Sequence, residues 1–294
     1  MTARGAAPRG QGGRGQDPPG RSQPADPPAG GRSAVTATGA GLLAAGMGAA
    51  APFGRPAVLI AVAVLQVVLV VAWVFGTGLP GRIGGILISL GTAVAADLSV
   101  FLPDRPTLAA PLGVLALVFV AMVVHQLTRG VVRVRVTESM SDIGLCCVAV
   151  VGLAVLIALA HTGDRSRLVS APAVAILAGL AVAAVVDAVA PVPRLSRDVP
   201  HGLLAIVFAA AAGAAVGALH AFGWANLDLA GGCLLGAVVA ALAALLAVGV
   251  GYLARTTTPT SPRWGALAIP CLRVVLPLAL TCPVAYVLGL ALTS

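Results

Sequence analysis

Residues 57–75 read AVLIAVAVLQVVLVVAWVF, 19 positions without a charged side chain. Wound as a helix at 1.5 Å per residue, such a run covers about 28 Å, close to the ~30 Å hydrocarbon core of a bilayer. In lipid every backbone N–H and C=O must be paired within its own segment, so a run of this length is a spanning helix rather than a strand or a loop. Working outward, comparable runs recur at 83–102, 108–127, 143–160, 170–190, 202–222, 229–253 and 266–292, joined by short loops that carry Arg and Pro. A further run at 34–54 is rich in Ala and Gly. The expected fold is all-α: a polytopic integral membrane helical bundle of about nine transmembrane helices, or eight if 34–54 does not span.

Composition agrees. Hydrophobic residues make up 59% of the 294 positions and charged residues 10%, against about 25% charged in soluble domains; the mean hydropathy is +1.02. All 18 basic residues are Arg, and the acids include one Glu, Glu138. Together with abundant Ala, Gly, Val and Pro this is the usage of a GC-rich, actinobacterial-type genome, so the missing Lys reflects codons more than function. A net charge of +8 would suggest nucleic acid in a soluble protein. Here the Arg sit in a tail and in loops, where orientation in the membrane explains them and no nucleic acid is expected. Residues 1–33 form a Gly/Pro/Arg tail with too little apolar content to fold, expected to be disordered and cytoplasmic; 34–294 form the transmembrane domain.

Charge chooses between eight and nine helices. With eight and the tail inside, the loop Arg divide almost evenly between the two faces. With nine, thirteen Arg lie inside and only Arg55, Arg105, Arg165 and Arg167 outside. Cytoplasmic loops carry the excess of Arg in membrane proteins, so nine helices in a bacterial plasma membrane are expected. A signal peptide is the competing account of 34–54, since Ala49-Ala50-Ala51 resembles a cleavage site, but a Pro-rich leader of this length is an abnormal n-region.

Charges inside spans are costly and mark function by default. Asp97, Asp187 and Arg273 are the intramembrane candidates. Asp97 and Asp187 lie close enough to helix ends to reach the interface or a loop Arg. Nine crossings put Asp187 and Arg273 near the cytoplasmic ends of their helices, where an ion pair shielded from lipid is expected, and put Asp97 toward the other face. Arg129, Arg133, Arg135, Arg194 and Arg197 form basic loops suited to anionic head groups, and are also what the positive-inside rule asks of cytoplasmic loops. The four His are scattered without metal-ligand spacing, and the five Cys lie in apolar runs without a C-x-x-C pair and read as buried small hydrophobes. No metal, cofactor or catalytic residue is expected. Gly213-x-x-x-Gly217 and Gly232-x-x-x-Gly236 permit close helix approach, although such pairs arise by chance in so Gly-rich a chain. Pro270, Pro277 and Pro283 suggest that the last helix is kinked or broken.

The order of features from about residue 40 onward resembles phosphatidate cytidylyltransferase, the CDP-diacylglycerol synthase family. Ala183-Ala184-Val185-Val186-Asp187 looks like that family's helix ending in an Asp of the catalytic region. Pro193 to Gly202 looks like the basic loop that follows, and Leu280 to Tyr286 like the apolar end of the last helix. The resemblance implies a multi-helix membrane protein with its Mg²⁺-dependent site near the cytoplasmic face. The family's signature, S-x-x-K-R-x-x-x-x-K-D and D-R-x-D, is lost: the corresponding stretch, Arg255 to Gly265, contains no carboxylate, and Leu272-Arg273-Val274-Val275 keeps at most the Arg. Phosphoryl transfer needs several carboxylates to hold its cations. The expectation is therefore a degenerate, non-catalytic relative that binds phospholipid or other membrane proteins, further copies of itself included. A small-solute transporter or transport subunit, with a pathway formed by Asp97, Asp187, Arg273 and the Pro-broken last helix, is the alternative, and an active phospholipid nucleotidyltransferase with an altered site is the third reading.

Overall fold

The computed structural model describes residues 29–50, 53–79, 81–104, 107–128, 136–160, 165–190, 202–221, 228–256 and 261–293. Among these the chain forms nine α-helices: α1 Ala29–Ala50, α2 Arg55–Thr77, α3 Arg82–Phe101, α4 Ala109–Thr128, α5 Val136–Leu159, α6 Arg165–Val189, α7 Leu203–Ala221, α8 Leu229–Thr256 and α9 Pro262–Thr293. Eight of them, α2 to α9, are long and apolar enough to cross a membrane, and the protein is a multi-pass membrane protein of the all-α class. The ninth, α1, reaches back to Ala29, into the stretch expected as tail; its described apolar part is the shorter Val35–Met47.

Each apolar run of the sequence became one helix, and the ends differ where polar residues continue the winding. α5 begins at Val136 rather than near residue 143, because Thr137 to Asp142 is helical too, with Glu138 in the first turn, where a negative charge favours the helix dipole. Of the two expectations for the last helix, kinked or broken, the break is corrected: α9 is one continuous helix with Pro270, Pro277 and Pro283 inside it. A proline cannot donate to the carbonyl four residues back, and neighbouring groups take up the slack. Pro283 leaves the carbonyl of Ala279 without its helical donor, and that carbonyl packs onto the backbone of Gly152 in α5, where a Cβ would overlap it. Thr281 Oγ1 donates to the carbonyls of Pro277 (2.7 Å) and Leu278 (3.1 Å), which occupies its hydroxyl inside the core.

The bundle has two groups of helices joined by α9. In one, α2, α3, α4 and α5 pack on each other; in the other, α6, α7 and α8 pack together, with α1 laid along α6. α9 touches α1, α2, α5, α6 and α8. At the centre is α5, buried at every position from Ala149 to Leu159, as a helix that is apolar all round should be. α4 stands at the rim and turns Leu112, Leu117, Phe119, Val120, Val124 and Leu127 outward, which in a bilayer meet lipid tails. The α2–α3 connection is tight because Gly78 (φ 69°) and Gly81 (φ 76°) adopt left-handed backbone, open to glycine at little cost.

α7 and α8 approach each other backbone to backbone. Gly213 and Gly217 lie against Gly236 and Gly232, and a Cβ at any of the four would overlap a carbonyl oxygen across the interface. Lipid gives no hydrophobic drive to helix pairing, so this close packing supplies the cohesion.

Candidate functional site

Asp187 and Arg273 line the same cleft. Its other lining residues come from α1 (Thr36), α6 (Leu180, Ala183, Ala184), α7 (Ala205) and α8 (Ala244, Ala247, Val248). The site follows from local sequence. Asp187 is in the last turn of α6, Arg273 lies in the first half of α9, and the Ala-rich faces of α6 to α8 leave room between them. Asp187 Oδ1 accepts the backbone N–H of Gly202 at 3.1 Å, so the carboxylate also ties the end of α6 to the start of α7. A cation, an anion and a buried hydroxyl at the rim of an apolar groove can take a ligand that is charged at one end and apolar at the other.

Asp97 lies elsewhere and in a setting other than the interface or a loop Arg. It is 6% exposed, and its Oδ1 accepts a hydrogen bond from Gln66 Nε2 at 2.8 Å. The same Nε2 donates to the Val150 carbonyl at 3.1 Å. Gln66 stands at the middle of α2, about 16 Å from either end at the helical rise, so the long amide holds the carboxylate well inside the bundle. Sequence reasoning missed Gln66 because only charged groups were sought within spans. The signal was there: a lone amide in an otherwise apolar 19-residue run.

Below Asp97 the inward face of α3 carries Thr92 and Ser89. Thr92 Oγ1 donates to the Ile88 carbonyl (2.7 Å), and Cys147 Sγ lies 3.5 Å from Thr92 Oγ1 and 3.8 Å from Ser89 Oγ. Gln126 Nε2 donates to Ser139 Oγ at 3.1 Å, joining α4 to α5. Arg55 secures a helix end. Its guanidinium donates to the Phe101 carbonyl and lies 5.0 Å over the Phe101 ring, answering the exposed end of the α3 dipole.

Arg129, Arg133, Arg135, Arg194 and Arg197, the basic-loop candidates, lie outside the described residues, as do His161 and His201. His125 packs on Gly84, and His220 Nδ1 lies 2.9 Å from the Val216 carbonyl. Among the described residues no group of three or more His, Cys, Asp or Glu is placed to hold a metal ion. All five cysteines are free; Cys146, Cys147 and Cys282 are buried as expected, Cys233 is half-buried, and Cys271 is exposed. Cys271 corrects the expectation of uniform burial: its position on α9 turns outward, and the outward face of a membrane helix remains apolar surroundings for a thiol. Compared with protein-family models, curated proteins and solved structures, the chain matches none.

Proposed function

We propose that the protein is a non-catalytic multi-pass protein of a bacterial plasma membrane that holds a phospholipid head group in the cleft between α6 and α9. The observation that carries this reading is the convergence of Asp187 and Arg273 on one Ala-lined cleft. Arg273 supplies a fixed positive charge with donors for a phosphate. Asp187 and Thr36 meet the polar remainder of the head group, and the alanines of α6, α7 and α8 lie against glycerol and the first methylenes. The resemblance of the sequence's order of features to phosphatidate cytidylyltransferase supports a lipid ligand; the absence of carboxylates from 255–265 supports binding without turnover.

The test is phospholipid retention by purified protein after exchange into lipid-free detergent, read by mass spectrometry. Wild type keeps a phospholipid, and Arg273→Leu weakens its binding at least tenfold, equivalent to about 1.4 kcal/mol. Equal retention by folded Arg273→Leu sinks the cleft assignment. CTP-dependent formation of CDP-diacylglycerol with Mg²⁺, lost in Asp187→Ala, would overturn the non-catalytic part.

A further inference from the structure

We propose that Asp97 is a proton-binding site inside the membrane, with Gln66 holding the carboxyl group in both its ionised and its neutral form. This stands apart from the lipid cleft and shares no residue with it. Asp97 is buried on the inward face of α3, and its hydrogen-bond partner among the described residues is a neutral amide. A carboxylate in a bilayer interior is expensive and needs a neutralising partner. The neighbours of α3 are α2, α4 and α5, and their charged or titratable groups are engaged or remote. On α2, Arg55 donates through one amino group to the Phe101 carbonyl and lies over the Phe101 ring, one turn beyond Asp97, while its Nε has no partner among the described residues. On α4, His125 packs against Gly84, at the far end of α3. On α5, Glu138 and Asp142 belong to the first two turns, Cys146 is buried, and Cys147 lies between Ser89 and Thr92. On α3 itself, Arg82 opens the helix.

The partners select a proton over a metal ion. A hard cation needs a shell of several oxygens. Here the Gln66 NH₂ group donates to both Asp97 Oδ1 and the Val150 carbonyl, so these two oxygens are already turned to a donor, and Asp97 Oδ2 alone falls far short of such a shell. A proton needs only one oxygen, and Oδ2 supplies it. The chemistry is a single reversible O–H bond: water-derived H⁺ adds to Oδ2, and the same proton returns to water on release. Oδ1 then becomes the carbonyl oxygen of the acid and still accepts from Gln66, because a neutral carboxyl group keeps acceptor capacity. Neither state therefore requires α2, α3 and α5 to repack. Ser89 and Thr92 extend this polar face toward the α2–α3 turn, over about 12 Å of helix from position 89 to 97.

The experiment is infrared difference spectroscopy of the full-length protein in lipid bilayers, titrated between roughly pH 4 and pH 9, which brackets ordinary and strongly displaced carboxyl groups. The expected result is a carboxylic-acid carbonyl band that titrates in wild type and is missing from Asp97→Asn, whose amide oxygen still accepts from Gln66. In Gln66→Leu the ionised form loses its donor, so the midpoint moves to higher pH by about one unit, a tenfold change in proton affinity. The Gln66→Leu shift carries the test if Asp97→Asn fails to fold. Identical difference spectra for wild type and Asp97→Asn overturn the site. An unmoved midpoint in Gln66→Leu overturns the role of the amide. A band displaced by Na⁺ at constant pH overturns the proton as ligand.

Discussion

Three aspartates in the described helical bundle are each met by a different N–H donor: Asp97 by the Gln66 side chain, Asp187 by the Gly202 backbone and Asp228 by the Gly231 backbone. Asp228 precedes Leu229, the first residue of α8, and its Oδ1 takes the Gly231 N–H at 2.7 Å while its carbonyl accepts from Gly232. That is N-cap geometry, and it satisfies one of the donors a helix start leaves open. Asp228→Ala should therefore cost about 1 kcal/mol, and Asp228→Asn, an equally good cap, only a few tenths. Thermal unfolding of the detergent-solubilised protein checks this; equal losses in the two variants would show that the charge, and not the cap, matters. The same residues show what the sequence left hidden. Charge within an apolar run made Asp97 and Asp187 visible. Counting back from the helix end placed Asp97 about one turn from it, as the structure does, but depth along one helix says nothing of where a long partner side chain on the next helix meets it. The convergence of Asp187 and Arg273 on one face was legible, since it follows from alternating helix direction alone; the Ala-lined space between them was not.

At the scale of helices, the pairing of α7 with α8 turns on four glycines whose spacing carried little weight in a chain with 36 of them. What separates these from the rest is the neighbour, which only the packed structure supplies. Gly213, Gly217, Gly232 and Gly236 each face a carbonyl across the interface, whereas a Cβ on Gly249, also in α8, would meet nothing within 4 Å. The two classes should respond with opposite signs. Gly236→Ala forces backbones apart and should destabilise by about 1–3 kcal/mol, the usual cost of overpacking. Gly249→Ala relieves only backbone entropy and should be neutral or stabilising by up to about 1 kcal/mol. Unfolding of both variants in the same detergent reads the difference, and a Gly236→Ala as stable as Gly249→Ala would mean that α7 and α8 are not held by this contact. Proline in α9 follows the same logic. Sequence rules foresaw a kinked or broken helix, but they could not see that the carbonyl Pro283 leaves without a donor packs against Gly152 of α5, where only the missing Cβ leaves it room.

At the scale of the molecule, the open element is α1, whose 22 residues would rise about 33 Å as a helix, enough to cross, although its described apolar part, Val35–Met47, is shorter. Packing argues for its place in the bundle. α1 runs along α6, also touches α9, and buries Thr36 in the cleft shared with Asp187 and Arg273. A helix lying on the cytoplasmic surface would not pack along a spanning neighbour in that way. Charge argues in the same direction, because only a crossing α1 collects thirteen Arg on one face and leaves four on the other. Nine crossings would put the two flanks of the bundle on opposite sides. A tag ahead of α1 should therefore be protected in intact cells, while a reporter that is active only outside the cytoplasm should be active when fused after α9. If both flanks report the same side, α1 lies at the interface, every later loop changes face, and Arg129, Arg133, Arg135, Arg194 and Arg197 become external. The positive-inside bias would then vanish, and the cleft lined by Asp187 and Arg273 would open away from the cytoplasm.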